Sequence, residues 1–291
     1  MSSILLIGPG AIGATLAAWL CQSEKHLVTV AARTPFDGIE TTTPDGVILA
    51  RPRVITAPDQ AQPVDWILSV TKTYDSDDAA KWFPRAMGAN TRLAIIQNGV
   101  EHLARFANHF PRERTVPVMI DLPADRSAPG RTLQRRNARI EVPTGASSAD
   151  FLELFAHTAF DARQTDDFTT ALWKKLCLNA SGAVSVVLLK GAGISHHDGV
   201  AELMRDIVRE CVAVGRAEGA RLDDSMPDLI VQGARQAPRD TTNSMVADRV
   251  AGRPMEIDAR NGVIVRLSRK HGIPAPVNAL MVALLEAVQN Y

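Results

Sequence analysis

The stretch "SILLIGPGAIGATLAAWL", residues 3–20, decides the fold of the front half of the chain. An apolar run of strand length leads into three glycines in the pattern GxGxxG, and a helical segment rich in small residues follows. Glycines in this turn let the backbone approach a pyrophosphate, and the helix start offers free amides to its charge. The stretch therefore predicts a dinucleotide-binding turn, with cofactor contacts expected from Gly8, Gly10, Ala11, Ile12 and Gly13.

Length and composition indicate a globular protein with two domains. The chain has 291 residues, which is long for a single domain, and 46% of them are hydrophobic. Its 32 basic residues balance 32 acidic ones, so no net field favours nucleic acid or an anionic membrane. The three cysteines lie far apart, and no apolar run reaches the ~18 residues of a membrane span. We expect a soluble, cytoplasmic protein that binds neither nucleic acid nor membrane.

Strand-length and helical segments alternate up to about residue 166, and helical periodicity dominates afterwards. Such alternation predicts a mostly parallel, doubly wound sheet with helices on both faces. We assign residues 1–166 to a Rossmann-like α/β domain that binds the cofactor, and residues 167–291 to an all-α domain that binds the substrate. The segment "GRTLQRRNARIEVPTG", residues 130–145, is expected to add antiparallel strands at the edge of the parallel sheet.

The end of the second predicted strand indicates which dinucleotide binds. It reads "VAARTPF", with Arg33 and without a carboxylate until Asp37. An NAD enzyme usually has an acidic residue there for the ribose 2′-hydroxyl, whereas arginine can clasp a 2′-phosphate with two charge-assisted bonds. The sequence therefore favours NADPH/NADP as the cofactor.

Two further segments, "SVTKTYD" and "IIQNGVE", follow strands where a doubly wound sheet binds its ligands. Lys72 in the first and Asn98 in the second are therefore candidate contacts to the cofactor. Each also has an ordinary structural interpretation, because Lys72 can be a solvated loop residue and Asn98-Gly99 is a common turn pair.

The segment "ALWKKLCLNASGAVSVVLL", residues 171–189, predicts a mostly buried helix that carries two adjacent lysines. At about 100° per residue, Lys174 shares a face with Ser181 and Ser185, which is expected to meet water. Lys175 and Asn179 form a separate pair with i, i+4 spacing among small and apolar residues. This pair is either a snorkelling lysine with its neighbour or part of a site.

Other polar residues of the back half can complete such a site. Ser244 is either a helix cap or a ligand, and Glu256 is expected in the first turn of a helix over 254–271 that ends at Gly272. The adjacent histidines of "SHHDG", residues 195–199, lack the spacing of a metal site, so we expect a solvated turn and no metal.

Together these motifs resemble the ketopantoate reductase (2-dehydropantoate 2-reductase) family, NADPH-dependent oxidoreductases of pantothenate and coenzyme A biosynthesis. The similarity spans nearly the whole chain, from "GPGAIG" through "WKKLCLN" to "EIDARNG" and "HGIPAPVN". The resemblance implies the catalytic residues Lys175, as general acid, and Glu256, and the substrate-binding residues Asn98, Asn179 and Ser244. It also implies that Asn98 lies at the junction of nicotinamide and substrate, and that Arg33 and Lys72 contact the cofactor.

The sequence departs from the family at Ala183, where the resemblance implies a second asparagine on the substrate side. The expected reaction is hydride transfer from NADPH to the ketone carbon of a 2-oxo acid, with Lys175 donating the proton. The alternatives are a reductase of another 2-oxo acid, an opine-type dehydrogenase, or a non-catalytic NADP(H) sensor. A monomer and a homodimer are both compatible with the sequence.

Overall fold

The computed structural model describes residues 1–290, which contain thirteen strands and twelve α-helices. The strands are β1 Ser2–Ile7, β2 His26–Ala31, β3 Ile39–Thr43, β4 Gly46–Ala50, β5 Arg53–Ile55, β6 Trp66–Ser69, β7 Arg92–Ile95, β8 Thr115–Pro117, β9 Met119–Asp121, β10 Ala124–Ala128, β11 Arg131–Gln134, β12 Arg139–Pro143 and β13 Asp161–Thr165. The α-helices are α1 Ala11–Leu20, α2 Ser76–Ala80, α3 Phe83–Ala86, α4 His102–Arg105, α5 Ala146–Glu153, α6 Phe168–Ser181, α7 Ala183–Leu188, α8 Asp198–Ala217, α9 Met226–Gln236, α10 Ser244–Val250, α11 Val263–His271 and α12 Pro276–Asn290. A π-helical turn, Asp258–Gly262, directly precedes α11.

Six strands form a parallel sheet in the order β5-β2-β1-β6-β7-β8. From β1 the chain first adds strands on one side, through β2 and β5, and then on the other, through β6, β7 and β8. In such a doubly wound sheet, ligands bind beyond the carboxyl ends of the strands at the point where the direction changes. The glycine turn at residues 8–13 follows the carboxyl end of β1 and therefore lies at this point.

Both faces of the parallel sheet are buried, as expected for a doubly wound fold. Successive residues of a strand point to opposite faces, so Ile4 and Leu6 of β1 enter one apolar cluster and Leu5 and Ile7 the other. The first cluster includes the buried side of α1, and the second includes Phe83 of α3. The predicted Rossmann-like fold is confirmed.

The expectation for residues 130–145 was wrong in its location. β11 belongs to a separate four-stranded sheet, β10-β11-β3-β4, and β12 belongs to a three-stranded sheet, β13-β12-β9. The four-stranded sheet packs against α1. At this contact, buried Thr132 of β11 accepts a 3.2 Å hydrogen bond from the Thr15 hydroxyl of the helix. These strands therefore cover the outer side of α1, which the sequence pattern did not indicate.

The helices from α6 onward enclose an apolar core of their own, as predicted. The long helix α8 packs buried residues such as Ile207 and Cys211 into it. The helix expected over 254–271 begins later than predicted, because the π-helical turn starts only at Asp258. Its end is as predicted: Gly272 adopts φ +65°, the left-handed conformation that glycine accepts without strain.

The chain divides into two compact units. The first comprises residues 1–97 and 101–168, and the second comprises residues 98–100 and 169–291. We call them the nucleotide-fold unit and the helical unit. Within the described part of the chain, no helix has both the length and the apolar character that a bilayer crossing requires.

Candidate cofactor-binding turn and active site

The glycine turn of the nucleotide-fold unit needs glycine at two positions for steric reasons. Gly8 has φ +93°, and a Cβ atom there would lie 2.9 Å from the backbone nitrogen of Thr71. At Gly13, a Cβ atom would lie 2.2 Å from the carbonyl oxygen of Gly8, so the absence of a side chain lets α1 start against the turn. These are the tight-turn and close-packing roles that the fingerprint assigns to its first and third glycines.

Gly10 differs from Gly8 and Gly13, because no atom beyond Gly10 and its two chain neighbours lies within 4 Å of the Cβ position built on it. It precedes α1 with φ −71°, and no side chain caps the helix. The amides of Ala11, Ile12 and Gly13 are in the first turn, where they have no intrahelical acceptor. Open space beside uncapped amides at a positive helix end fits a pyrophosphate.

Arg33 lies just beyond the end of β2. Its side chain is 86% exposed, and Nη2 lies 3.3 Å from Oδ2 of Asp75. An exposed ion pair of this length contributes little stability, so the guanidinium can be redirected to a phosphate at small cost. Lys72 follows β6 and is half-buried at the start of a short 3-10 turn, Thr73–Asp75.

The two adjacent lysines of α6 have different environments, as predicted. Lys174 is exposed, whereas Lys175 and Asn179 are both half-buried. The prediction that Ser181 shares the solvated face of Lys174 was wrong. Ser181 is 3% exposed, and its hydroxyl donates to the carbonyl of Leu178 within the last turn of α6.

The helix is interrupted at the residue after Ser181. Gly182 separates α6 from α7, and its carbonyl accepts a 3.0 Å hydrogen bond from the side-chain amide of Asn243. A Cβ atom on Gly182 would lie 2.8 Å from that amide nitrogen. Ala183, the position where the resemblance implies a second asparagine, is 1% exposed and packs in the apolar core.

Glu256 is a buried carboxylate that interacts with the segment 98–100. It is 3% exposed, and its Oε2 accepts a 2.8 Å hydrogen bond from the side-chain amide of Asn98. Because Glu256 precedes the π-helical turn, the alternative that it merely compensates the dipole in a first helical turn does not apply. The structure therefore brings together two of the predicted site residues that are distant in sequence.

Ser244 is not the cap of a helix, which was its structural alternative. The cap of α10 is Asn243, whose side-chain oxygen accepts from the amides of Met245 and Val246. Ser244 is an exposed residue, and its hydroxyl accepts a 2.8 Å hydrogen bond from Nη2 of Arg260. Arg260 itself is only 2% exposed.

Three hydrogen bonds join α6, α10 and the π-helical turn into one framework. Asn243 binds the carbonyl of Gly182, Arg260 binds Ser244, and the side-chain amide of Asn261 donates to the carbonyl of Ala180 at 3.2 Å. The six residues belong to three short segments, 180–182, 243–244 and 260–261. Each segment is hydrogen-bonded to the other two, so the three bonds form a closed ring. We call it the hydrogen-bonded ring: Ala180, Gly182, Asn243, Ser244, Arg260 and Asn261. It fixes the end of the helix that carries Lys175 and Asn179.

The electrostatics of the ring are dominated by the burial of Arg260. Desolvation lowers the pKa of its guanidinium, and the nearby carboxylates of Glu256 and Asp248 act in the opposite direction. Asp248 is also buried and accepts a 3.0 Å hydrogen bond from Nε of Arg253.

The sequence interpretation missed Arg260 and the two asparagines of the ring. A signal for Arg260 is present, because it precedes the buried residues Val263 and Ile264 at i, i+3 and i, i+4 spacing and so lies on the apolar face. Asn243 is of a residue type preferred at helix N-caps, and Asn261 lies in the segment "EIDARNG", but neither pattern indicates the hydrogen-bond partner in another segment. The histidines of "SHHDG" are exposed, and His197 caps α8 by accepting from the amide of Val200.

Comparisons with known proteins match nearly the whole chain. Residues 4–147 match the family model of ketopantoate reductase PanE/ApbA, and residues 167–289 match the model of its C-terminal part. A 2-dehydropantoate 2-reductase of Caulobacter vibrioides is 55% identical over 287 residues, which are 99% of each chain. The chain belongs to the ketopantoate reductase family.

Solved structures support the same conclusion. A ketopantoate reductase of the PanE/ApbA family from Ralstonia eutropha JMP134 superposes with a TM-score of 0.91 at 26% identity, covering 99% of this chain and 98% of the other. A D-mandelate dehydrogenase solved with NADH and anilino(oxo)acetate shares the fold, with a TM-score of 0.89 at 18% identity and coverage of 99% and 98%. Ketopantoate reductases are oxidoreductases that act on a small molecule.

Proposed function

We propose that this protein reduces 2-dehydropantoate (ketopantoate) to pantoate with NADPH, a cytoplasmic step of pantothenate and coenzyme A biosynthesis. The observation that carries the proposal is the buried Glu256–Asn98 pair in a helical unit that also presents Lys175 and Asn179 half-buried on one helix. The 55% identity to the Caulobacter vibrioides enzyme over the full length supports the choice of substrate.

The choice of NADPH over NADH depends on the end of β2. The exposed guanidinium of Arg33 is the group at this position that suits a 2′-phosphate, and the first carboxylate after it, Asp37, is exposed four residues later. In the proposed complex, the first-turn amides of α1 bind the pyrophosphate, and Lys72 contacts the cofactor beyond the end of β6.

When bound, NADPH supplies a hydride to the carbonyl carbon of the substrate. Negative charge then grows on the carbonyl oxygen, and the ammonium group of Lys175 stabilises that oxygen and transfers a proton to it. Asn179 and Glu256 orient the lysine and the hydroxyl side of the substrate, while Asn98 holds Glu256 and approaches the nicotinamide end. The hydroxyl of Ser244 donates to the substrate carboxylate. One hydride and one proton convert the ketone to the alcohol, which leaves NADP⁺ and pantoate.

A panel of substrates tests the proposal. NADPH oxidation by the purified protein is measured with 2-dehydropantoate, pyruvate, 2-oxoisovalerate and phenylglyoxylate, each with and without free amino acids. We expect kcat/KM for 2-dehydropantoate to exceed that of the other acids by about 10-fold or more, since a missing polar or apolar contact costs roughly that much. Mass spectrometry should identify pantoate.

Other outcomes of the panel would replace the proposal. A higher kcat/KM for another 2-oxo acid would make the protein a reductase of that acid, to which buried Ala183 contributes no amide. Turnover only in the presence of an amino acid would indicate an opine-type dehydrogenase. Cofactor binding without reduction of any ketone would indicate a sensor.

A further inference from the structure

A buried arginine adjoins a residue that the proposed function assigns to the substrate carboxylate. Arg260 is 2% exposed, whereas Ser244, which accepts the hydrogen bond from its Nη2, is exposed. The guanidinium is therefore enclosed by the protein, and the hydroxyl that it binds belongs to an exposed residue. The buried positive charge of Arg260 is thus linked by one hydrogen bond to a serine at the surface.

Uncharged side chains at every position of the hydrogen-bonded ring would hold the three segments together without the free-energy cost of burying a charge. Asn243 and Asn261 already join the other two segments to the end of α6 with uncharged amides. Nε of Arg260 is buried and has no hydrogen-bond partner among the residues that the structure describes. An incompletely bonded, enclosed guanidinium is poorly explained by structural support alone.

The carboxylates of Glu256 and Asp248 favour the charged form of Arg260, but both accept hydrogen bonds from other residues. Glu256 is bound by Asn98, and Asp248 is bound by Arg253. Without Arg260, these two buried carboxylates would repel an anionic substrate. The positive charge of Arg260, which is hydrogen-bonded to Ser244, offsets that repulsion.

The backbone around Arg260 is irregular in a way that often marks functional sites. The amide of Gly262 donates a 3.0 Å hydrogen bond to the carbonyl of Ile257, five residues earlier, and the Arg260 amide donates to the same carbonyl at 3.3 Å. This widened turn is the π-helical turn of the helical unit. Such insertions in helices are frequent at functional sites because they redirect a side chain.

We propose that Arg260 is a positioning residue for the substrate carboxylate, which acts by holding the Ser244 hydroxyl as a donor and by supplying positive charge behind it. Because Ser244 Oγ accepts from the guanidinium, its own proton is directed away from Arg260 and is available to an anion. The inference rests on the proposed function, because it assumes that the ligand at Ser244 is the carboxylate of a 2-oxo acid.

The test compares Arg260→Met, Arg260→Lys and the control Arg269→Met, which removes an exposed arginine of α11. For each variant, kcat and KM are measured with 2-dehydropantoate and with its neutral carboxamide analogue, together with KM for NADPH. We expect Arg260→Met to raise KM for the acid about 10- to 100-fold, the range for one charge-assisted hydrogen bond, and to leave KM for NADPH unchanged. KM for the carboxamide should change less than about 3-fold, and Arg260→Lys should be intermediate.

A general structural defect would give another pattern. Equal losses for the acid and the carboxamide, or a parallel loss of NADPH binding, would overturn the inference, as would wild-type behaviour of Arg260→Met. In the double variant Ser244→Ala with Arg260→Met, KM for the acid should exceed that of the more impaired single variant by no more than about 3-fold, because the two residues act as one unit. Additive losses would also overturn it.

Failure of the proposed function is distinguishable from failure of this inference. Calorimetric binding of 2-dehydropantoate and of its carboxamide in the presence of NADP⁺ does not require turnover. If the wild-type protein reduces no 2-oxo acid, the proposed function fails. The Arg260 inference is then decided by whether Arg260→Met weakens binding of the acid selectively; equal affinities for Arg260→Met and wild type would overturn it.

Discussion

Oε2 of Glu256 accepts a 2.8 Å hydrogen bond from the side-chain amide of Asn98, although 158 residues separate them in the chain. The segment 98–100 follows β7 in sequence but belongs to the helical unit, and Val100 packs against its apolar core. The bond therefore lies within the helical unit and fixes a buried carboxylate by a residue from a segment that is distant in sequence. This is the connection on which the proposed site depends.

The substitution Glu256→Gln tests that connection. Glutamine has nearly the same shape and can still accept from Asn98, but it lacks the negative charge that we assign to orienting Lys175 and the substrate. We expect kcat to fall about 10²-fold, the usual cost of misplacing reacting groups, with KM for NADPH within about 2-fold. Steady-state kinetics at saturating NADPH measures the effect, and the exposed Glu286→Gln serves as the control. Wild-type kcat in Glu256→Gln would remove Glu256 from the mechanism.

The adjacent lysines of α6 provide a matched pair for the proton donor. Lys175→Ala should reduce kcat by about 10² to 10⁴-fold, the range for general acid catalysis, while fluorescence titration shows unchanged NADPH binding. Lys174→Ala changes the same residue type one position away on the exposed side and should alter kcat by less than about 2-fold. Added primary amines should partly restore the first variant, because they replace the missing donor. A Lys175→Ala enzyme within a few-fold of wild type would mean that another group donates the proton.

Local sequence patterns predicted most of the fold because they report on which side of each element is buried. The parallel strands and the different exposure of the two lysines follow from such periodicity, and the GxGxxG turn follows from the spacing of its glycines after a strand. The hydrogen-bonded ring did not, because Asn243, Ser244 and Asn261 find their partners in other segments, and helix periodicity carries no information on those distances. The four-stranded sheet over α1 was missed for the same reason.

Arg33 should determine the preference for NADPH over NADH. Its ion pair with Asp75 is exposed, so Arg33→Ala is expected to leave the unfolding temperature nearly unchanged. The loss of a charge-assisted bond to the 2′-phosphate should raise KM for NADPH about 10- to 100-fold, whereas KM for NADH should change little. Asp75→Ala is the control, since it frees the same guanidinium without removing it. Equal effects on both cofactors would show that Arg33 does not contact the 2′-phosphate.

Glu218 should make the stability of the helical unit depend on pH. Hydrogen bonds from His271 and from Lys270, the latter 2.8 Å long, hold the pKa of this carboxyl below its usual value. A lowered pKa in the folded state stabilises the protein above the unfolded pKa of about 4.3, and the stabilisation is lost as pH falls through the lower folded value. Glu218→Gln should therefore unfold at lower urea concentration than wild type at about pH 6, by up to ~1 kcal/mol, and the difference should shrink toward about pH 3.5. A difference independent of pH would contradict the assignment.

Substitutions at Gly10 and Gly13 should distinguish the contribution of the glycine turn to cofactor binding from its contribution to folding. Gly13→Ala places a methyl group 2.2 Å from the Gly8 carbonyl, so α1 must shift, and we expect both a lower unfolding temperature and loss of NADPH binding. Gly10 has φ −71°, and beyond its two chain neighbours no residue lies within 4 Å of the methyl group that Gly10→Ala adds, so the stability of this variant should equal or slightly exceed that of wild type. That methyl would instead occupy the space into which the pyrophosphate fits, and displacing one charge-assisted bond should raise the Kd for NADPH about tenfold or more. Thermal unfolding and calorimetric titration of both variants give the two readouts. A Gly10→Ala protein that binds NADPH as tightly as wild type would show that the phosphates do not approach this turn.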